Sequence, residues 1–294
     1  MERFDHRTAT EDEILERAML LEGMRLGDIP GVTFSSADPR RGRQEVGHAI
    51  EGWFGIPPNP SPQPDFPAAG IELKAVPLVA TEGGLRVKER TVIALIDYDT
   101  IVDETWETAS VRKKLKILFV YFEHLPRRPK EEFPIHHIRL WEPHGAVEQQ
   151  IRRDWELVRD KVRAGLAHEL AEADGMIMGP CTKGANRRSV RSQPFSDIPA
   201  MSRAFALKPS FTFALYSEPG GEDLSTDELA ESASLRALLP RFQSFVGRTV
   251  GAIGEFMDRL EATGALGGVL SRDERVREDG GFEATLVARY RPRE

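Results

Sequence analysis

The spacing of apolar positions in the N-terminal part of the chain predicts two amphipathic helices. Thr10 and Glu13 form a capping-box signature, and apolar residues then recur at helical spacing as far as Met24. This pattern predicts a first helix of about four turns. A second helix is predicted from Arg43 to Phe54, and its apolar face consists of Val46, Ile50 and Trp53.

Apolar, β-branched runs between the helical segments predict strands. Thr91–Tyr98 is nearly all apolar, which is typical of a strand that is covered on both faces. A long helix is predicted from Val147 towards Leu170. Further strands are predicted after Gly70, at Ile117–Phe122, at Pro134–Trp141, around Met176–Met178, and at Phe205–Tyr216 as a strand or buried hairpin arm. Helices and strands that alternate in this way predict a mixed α/β domain.

The last part of the chain has a different composition. Acidic residues become more frequent after Pro219–Gly221. One or two helices are predicted within Leu235–Leu260, and a strand is predicted at Glu283–Tyr290. We therefore interpret residues 1–216 as one domain and residues 217–294 as a C-terminal extension that packs on it or completes it.

Composition bounds the class of protein. The chain has 294 residues, of which 40% are hydrophobic and 30% are charged, as in ordinary globular proteins. It has no apolar run near the roughly 20 residues that span a bilayer, and no signal-peptide core at its start. The single cysteine, Cys181, excludes an internal disulfide and a multi-cysteine zinc site. These features predict a protein of the bacterial cytoplasm with no membrane partner.

The net charge of −7 hides three basic clusters. They lie at Arg40–Arg43, at Arg112–Lys116 and between Lys183 and Lys208. Each cluster by itself is most simply a solvated surface. Together, however, they could line a basic cleft that binds DNA, while the acidic remainder limits non-specific adhesion.

The segment from Pro64 to Lys74 carries the candidate chemistry. Side chains two residues apart in a strand project from the same face, so Glu72 and Lys74 would point the same way and Leu73 into the core. A bend at Gly70 would let Asp65 fold back beside Glu72. Two carboxylates at one point can hold a hard divalent cation, and a neighbouring lysine can hold a water or a phosphate oxygen. This arrangement suits metal-assisted attack of water on a phosphodiester.

The motif alone is weak, because acid-x-lysine pairs also occur on the solvent faces of strands. Other segments strengthen the hypothesis. Taken in their order along the chain, these segments and the motif resemble those of the MutH family of DNA endonucleases. This family includes a mismatch-repair nicking enzyme and type II restriction enzymes that cut at GATC. The resemblance covers roughly Thr10 to Tyr216. It rests on Glu51–Gly55, Asp65–Lys74, Thr105–Lys116, Arg152–Glu156, Thr182–Asn186 and Phe205–Leu215.

The resemblance implies a PD-(D/E)xK nuclease core, in which a central mixed sheet flanked by helices forms two lobes around a DNA cleft. It implies Mg²⁺ as the cofactor, with Mn²⁺ as a substitute. The roles that it implies are Asp65 and Glu72 as metal ligands, the Leu73 carbonyl as another ligand oxygen, Lys74 as the catalytic lysine, and Glu51 and Lys114 as further active-site residues.

The resemblance also implies double-stranded DNA as the partner. Candidates for phosphate or base contacts are Arg43, Arg112, Lys183 and Lys208, and Arg187 and Arg188 are candidates for reading guanine. The sequence departs from the family at Cys181, Ala206 and Lys113, where family members carry arginine, tyrosine and histidine. The first two positions lie on the recognition side, so the target sequence or the methylation response need not be the usual one.

Three functions remain open at this point. The leading hypothesis is a type II restriction endonuclease, and the alternatives are a mismatch-repair nicking enzyme and a DNA-binding protein without nuclease activity. Because one active centre cuts one strand, double-strand cleavage would need a homodimer, transient pairing on DNA or successive nicks.

Overall fold

The computed structural model describes residues 4–34, 42–58, 63–183 and 189–217, together with three strands in the C-terminal part. Side chains are described for the same ranges except at residues 42–44 and in the three C-terminal strands. The chain divides into two compact units, Met1–Thr226 and Asp227–Glu294. The second unit contains a three-stranded antiparallel sheet of Phe245–Gly247, Leu266–Val276 and Phe282–Tyr290, with the last of these in the middle. The strand predicted at Glu283–Tyr290 is confirmed, whereas the helices predicted within Leu235–Leu260 lie outside the described residues.

The first unit contains five described α-helices. They are α1 (Glu11–Met19), α2 (Gly42–Trp53), α3 (Tyr98–Ile101), α4 (Gly145–Arg163) and α5 (Pro209–Ser217). The capping box at the start of α1 is confirmed, since the backbone N–H of Thr10 donates to Glu13 at 2.7 Å and that of Glu13 to Thr10 at 3.4 Å. None of the helices in the described ranges is long and apolar enough to span a lipid bilayer.

A four-stranded mixed sheet forms the centre of this unit. Its strands are β1 (Glu72–Thr81), β2 (Gly84–Val87), β4 (Ile117–Glu123) and β5 (Ile135–Trp141), in the order β2-β1-β4-β5. β1 runs parallel to β4, and the two outer pairs are antiparallel. β4 is buried along six consecutive residues, which confirms the strand predicted at Ile117–Phe122.

A second, antiparallel sheet contains β3 (Thr91–Leu95), β6 (Met178–Thr182) and β9 (Arg203–Leu207), with β9 in the middle. A hairpin of β7 (Val190–Gln193) and β8 (Ser196–Met201) lies between β6 and β9 in the sequence. α4 packs against β6, and α5 packs against β2.

Five predictions about element boundaries or burial were wrong. The strand predicted around Met176–Met178 begins only at Met178 and continues to Thr182 as β6. α1 ends at Met19, because the chain turns through Gly23 at φ +82° into a 3₁₀ turn. α4 ends at Arg163, where Gly165 takes φ +72°. The strand predicted at Thr91–Tyr98 ends at Leu95, which is 62% exposed, and buried residues alternate with half-buried ones along it. The predicted strand at Phe205–Tyr216 is β9 followed by α5, because a new helix begins at Pro209, where proline is tolerated.

One hydrophobic core supports the N-terminal end of β1. It joins α1 and α2 to the face of the central sheet, and its members include Ile14, Ile50, Leu73 and Val120. The turn that precedes β1 also belongs to this core through Phe66 and Ile71, which are both fully buried. The segment that carries the candidate chemistry is therefore anchored on its apolar side, while its polar side chains project away from the core.

Candidate active site

A tight turn brings Asp65 back to the beginning of β1. The backbone N–H of Phe66 donates to the carbonyl of Ile71 at 2.8 Å, and the reverse bond is 3.2 Å long. Gly70 closes the turn at φ +68°, a conformation that L-residues rarely adopt. Asp65 Oδ2 then accepts a hydrogen bond from the backbone N–H of Leu73 at 2.8 Å. Asp65 thus lies against the strand residue between Glu72 and Lys74, as the bend predicted at Gly70 requires.

Two lysine side chains converge on the carboxylate of Glu72. Lys74 Nζ lies 2.6 Å from Glu72 Oε1, which confirms that these two side chains share one face of β1. Lys114, at the end of the 3₁₀ turn Arg112–Lys114, lies 3.2 Å from Glu72 Oε2 and 3.3 Å from Oε1. Leu73 faces the core, as predicted. The three charged groups therefore form one cluster in which Glu72 is buried and the lysines are half-buried, although Lys114 is 42 residues from Glu72.

The position of Glu72 is unusual for a carboxylate. Only 3% of the residue is exposed, and within the described part of the chain Oε2 has no hydrogen bond, although the Lys114 ammonium is at ion-pair distance. Burying a carboxylate is costly unless it is paired and all its oxygens are used. A buried carboxylate oxygen without a hydrogen bond suits a metal ligand.

Glu51 completes the acidic side of the site. It lies on α2, which packs against β1. Burial raises the pKa of Glu51, and the negative charges of Asp65 and Glu72 raise it further, against the opposite effects of His48 and Lys74. Burial likewise raises the pKa of Asp65, and Glu72 adds to this effect, whereas the hydrogen bond from Leu73 lowers it. Asp65 and Glu72 are therefore close enough to Glu51 to disfavour its ionisation, and Glu72 has the same effect on Asp65.

This donor set fits a hard divalent cation. Among the residues that the structure describes, no three His, Cys, Asp or Glu side chains form a ready-made metal-binding group. A metal site here would therefore depend on the two carboxylates of Asp65 and Glu72 with main-chain oxygen, and Glu51 stands nearby. Oxygen ligands of this kind are those that Mg²⁺ prefers, with water molecules completing its shell.

The raised pKa values predict how stability without metal depends on pH. A carboxyl group whose pKa is raised by folding binds protons more tightly in the folded state. Its contribution to the free energy of unfolding is therefore present below its ordinary pKa and is lost as the pH rises through the folded-state pKa. The ordinary values are 3.8 for Asp65 and 4.5 for Glu51. In EDTA, we therefore expect Asp65→Asn to gain free energy of unfolding relative to the unmodified protein as the pH rises from about 4 to 7. Urea titrations at several pH values measure this difference, and a difference that does not change with pH would contradict it.

The candidate DNA contacts occupy different environments. Lys183 is exposed, and its backbone N–H donates to the carbonyl of Ser202 at 2.9 Å. The Lys208 ammonium donates instead to the carbonyl of Gly175, and burial lowers its pKa. The side chain of Arg43 and all of Arg187 and Arg188 lie outside the described residues.

Arg112 belongs to a cluster at the beginning of α4. Its guanidinium lies 3.4 Å from Glu148 Oε1 and 5.8 Å from the centre of the Trp106 ring. Trp106 donates to the same carboxylate oxygen at 3.3 Å, and its ring packs against that of Trp155 at 5.8 Å. Both tryptophans are buried. The cluster ties the turn that carries Lys114 to α4.

His136, His137 and Cys181 have structural environments. His136 contacts Glu123 at 2.9 Å, and His137 lies 3.6 Å from Glu22, so the adjacent rings have separate partners. Cys181 is buried, and burial raises the pKa of its thiol, as expected of an unreactive cysteine.

Sequence reasoning missed two features of the site. The backbone N–H of Leu73, which holds Asp65, gives no signal in the sequence because every residue but proline has this group. The contact between the rings of Phe54 and Phe66 joins α2 to the turn before β1. Phe54 follows Glu51 by three positions and Phe66 follows Asp65 by one. The contact between the two rings could not be inferred from that spacing.

Comparison with known proteins shows which family the chain resembles. A profile described as "DNA mismatch repair enzyme MutH" matches residues 54–154. The type II restriction enzyme Sau3AI of Staphylococcus aureus is 32% identical over 227 residues, which cover 74% of this chain and 46% of that enzyme. The DNA mismatch repair protein MutH of Enterobacter sp. (strain 638) is 30% identical over 216 residues, which cover 70% of this chain and 91% of that protein.

A third relative gives the same result. The DNA mismatch repair protein MutH of Salmonella newport (strain SL254) is 31% identical over 217 residues, again with 70% of this chain and 91% of that protein covered. The chain thus matches about half the length of the restriction enzyme and nearly the whole length of the mismatch repair proteins. By these similarities the chain belongs to the MutH family of nucleases, which act on DNA.

Proposed function

We propose that this protein is a type II restriction endonuclease that uses Mg²⁺ to hydrolyse phosphodiester bonds at a specific sequence in double-stranded DNA. The observation that carries the nuclease activity is the meeting of Asp65, Glu72 and Lys74 at the N-terminal end of β1. On this proposal, residues 1–216 form a PD-(D/E)xK core with a DNA cleft, and residues 217–294 extend it.

Each site residue has a role in the proposed mechanism. Asp65, Glu72 and the carbonyl of Leu73 would hold Mg²⁺, which when bound supplies positive charge to the phosphate and acidifies a coordinated water. Lys74 would orient the attacking water and stabilise the negative charge that grows on the phosphate oxygens. As the water oxygen forms its bond to phosphorus, the bond to one ester oxygen of the DNA strand breaks.

Lys114 and Glu51 would support these groups. The ammonium of Lys114 compensates the buried charge of Glu72 and adds positive charge where the phosphate would lie. Glu51 would position water or a second ion, since its carboxyl lies within the electrostatic reach of Asp65 and Glu72. Mn²⁺ also takes oxygen ligands, so we expect it to support cleavage in place of Mg²⁺.

One observation favours restriction over mismatch repair. Cys181 and Ala206 stand where the family resemblance implies arginine and tyrosine, and both lie in one small buried cluster with Ala204. Neither of these two side chains is therefore available to contact a base. Readout of the target would then depend on other residues, such as those between Lys183 and Arg188.

Incubation of the purified protein with supercoiled plasmid and Mg²⁺ tests the proposal. Linear products with ends at a fixed sequence are expected, and sequencing those ends gives the site. Nicked circles alone, in the absence of other proteins, would favour the mismatch-repair function instead. A lack of cleavage with Mg²⁺ and with Mn²⁺ would favour a DNA-binding protein without nuclease activity. The dependence of the rate on protein concentration then distinguishes paired chains from successive nicks.

The environments of two lysines give a separate prediction about DNA binding. Replacing the exposed Lys183 with alanine should reduce the slope of log K against log salt by about 0.9, the value for one lost phosphate contact. Lys208→Ala should leave that slope unchanged and lower stability instead, because its ammonium donates to a carbonyl inside the protein. Lys88, which is exposed on another part of the unit, gives a control variant. Binding isotherms at several salt concentrations measure the slopes, and equal slopes for Lys183→Ala and Lys208→Ala would contradict the prediction.

A further inference from the structure

Two buried aromatic rings meet where the elements that carry Glu51 and Asp65 come together. Phe54 lies three residues after Glu51, and Phe66 directly follows Asp65. Their ring centroids are 5.2 Å apart with an interplanar angle of 87°, which is the edge-to-face arrangement that aromatic pairs favour. Both residues are essentially inaccessible to solvent. The contact therefore joins the end of α2 to the turn before β1.

Phe54 is held firmly on the side of α2. Its backbone N–H donates to the carbonyl of Glu51 at 3.0 Å, so ring and acid belong to the same helical turn. Arg17 of α1 donates to the carbonyl of Trp53 at 2.6 and 3.0 Å, and its guanidinium lies 4.4 Å from the centre of the Trp53 ring. Trp53 Nε1 donates back to the carbonyl of Arg17 at 3.2 Å. The end of α2 therefore cannot shift without breaking its contacts with α1.

Phe66 is held equally firmly on the side of the turn. Its backbone forms two hydrogen bonds with Ile71, one in each direction, and Ile71 is itself buried beside the first residue of β1. Asp65 precedes Phe66 by one residue, so a movement of the ring would move the carboxylate that accepts from Leu73. The ring contact thus transmits the position of α2 to Asp65.

Such a restraint is needed because the carboxylates repel each other. Asp65 is hydrogen-bonded to the residue that follows Glu72, and Glu51 lies on the helix that packs against the same strand, so three carboxylates share one small region. Repulsion of this kind would separate the elements in a looser structure, whereas a metal site needs its ligands at nearly fixed positions before the ion arrives. Buried rings in van der Waals contact resist that separation, because moving them apart loses contacts over their whole area.

We propose that Phe54 and Phe66 are positioning residues, whose edge-to-face contact fixes the separation of Glu51 and Asp65 and so sets the affinity of the site for its divalent ion. This inference rests on the proposed function. Neither ring would touch DNA, water or the ion. Their effect would appear in the concentration of Mg²⁺ that the site requires, while the rate at saturating Mg²⁺ changes little.

The test compares Phe54→Leu, Phe66→Leu and the double variant with the unmodified protein. Each single variant should raise the Mg²⁺ concentration for half-maximal cleavage by about 2- to 12-fold, the range that corresponds to losing one aromatic pair. The double variant should show little more than one single variant, because both changes remove the same contact. The same shift should appear when Mg²⁺ binding is measured by calorimetry without DNA.

Phe133→Leu provides a matched control. Phe133 belongs to the same core and stacks on Phe122 at 6.3 Å, but it does not join α2 to the turn. The Phe133→Leu variant should lose about as much free energy of unfolding in urea as the Phe54→Leu and Phe66→Leu variants. Its Mg²⁺ concentration for half-maximal cleavage should be unchanged. Should Phe54→Leu not fold, Phe54→Met and Phe66→Met keep more of the side-chain volume and are expected to show the same shift in a smaller degree.

The outcomes separate this inference from the proposed function. If the unmodified protein binds Mg²⁺ and cleaves DNA while the Phe54 and Phe66 variants behave like Phe133→Leu, the positioning inference is overturned and the proposed function stands. Additive shifts in the double variant would also overturn it. If the unmodified protein neither binds Mg²⁺ in calorimetry nor cleaves DNA with it, the proposed function fails and the inference fails with it.

Discussion

Asp65→Asn is expected to lower the rate of DNA cleavage by roughly 10³-fold, because a divalent ion at the reacting phosphate contributes several kcal/mol to catalysis. The asparagine side chain has the size of aspartate and keeps an oxygen that can accept from the N–H of Leu73, so the turn should be retained. It lacks the negative charge that would hold the ion. The loss should therefore come from the chemistry and not from the fold.

Three measurements accompany this prediction. Single-turnover cleavage of a short duplex gives the rate, calorimetry gives Mg²⁺ binding, and a filter or gel assay gives DNA binding, which should be nearly unchanged. Asp160→Asn is a matched control, since Asp160 is an exposed acid on α4 whose contact is with Arg159. Cleavage by Asp65→Asn at more than a tenth of the normal rate would remove Asp65 from the proposed metal site.

Asp154→Ala is expected to cause the largest loss of stability, about 3–5 kcal/mol. The Asp154 carboxylate is 3% exposed, and it accepts backbone N–H groups of Met176, Ile177 and Met178 at 2.7 to 2.8 Å. Alanine would leave these three donors buried without an acceptor, each at a cost of about 1–3 kcal/mol. The three residues lead into β6, so the sheet of β3, β9 and β6 would lose its anchor on α4.

Urea unfolding measures the effect of this change. Asp154→Asn retains one acceptor oxygen and should lose an intermediate amount, whereas Asp160→Ala on the exposed face of the same helix should change stability by no more than about 0.5 kcal/mol. A loss below about 1 kcal/mol for Asp154→Ala would mean that water or a neighbouring group takes over the three N–H groups.

The fold was predictable where the signal is local. The capping box at Thr10, the apolar run of β4 and the alternation of Glu72, Leu73 and Lys74 each depend on residues a few positions apart, and the structure confirms all three. Errors occurred where neighbours from elsewhere decide the outcome. The apolar run after Phe205 is compatible with strand or helix, and the chain changes from one to the other at Pro209.

In the candidate site, too, some features could be predicted from local sequence and others could not. The order of its motifs along the chain is sufficient to predict the family, and residue type predicts metal-assisted chemistry at Asp65, Glu72 and Lys74. Lys208 shows the limit of this reasoning. A lysine in a basic region suggests a phosphate contact, but its ammonium is turned inward to the carbonyl of Gly175. Charge can be read from the sequence, whereas the direction of a side chain depends on what packs around it.

The sequence by itself therefore determined the mixed α/β class, the membership of a nuclease family and the side chains available for chemistry. Only the tertiary structure decided that Lys114 reaches Glu72 across 42 residues, and that Asp65 is held by the N–H of Leu73. It also decided that Phe54 meets Phe66. The physical reason is that periodicity and capping act over one or two turns of chain, while these contacts depend on how whole elements pack on a shared core.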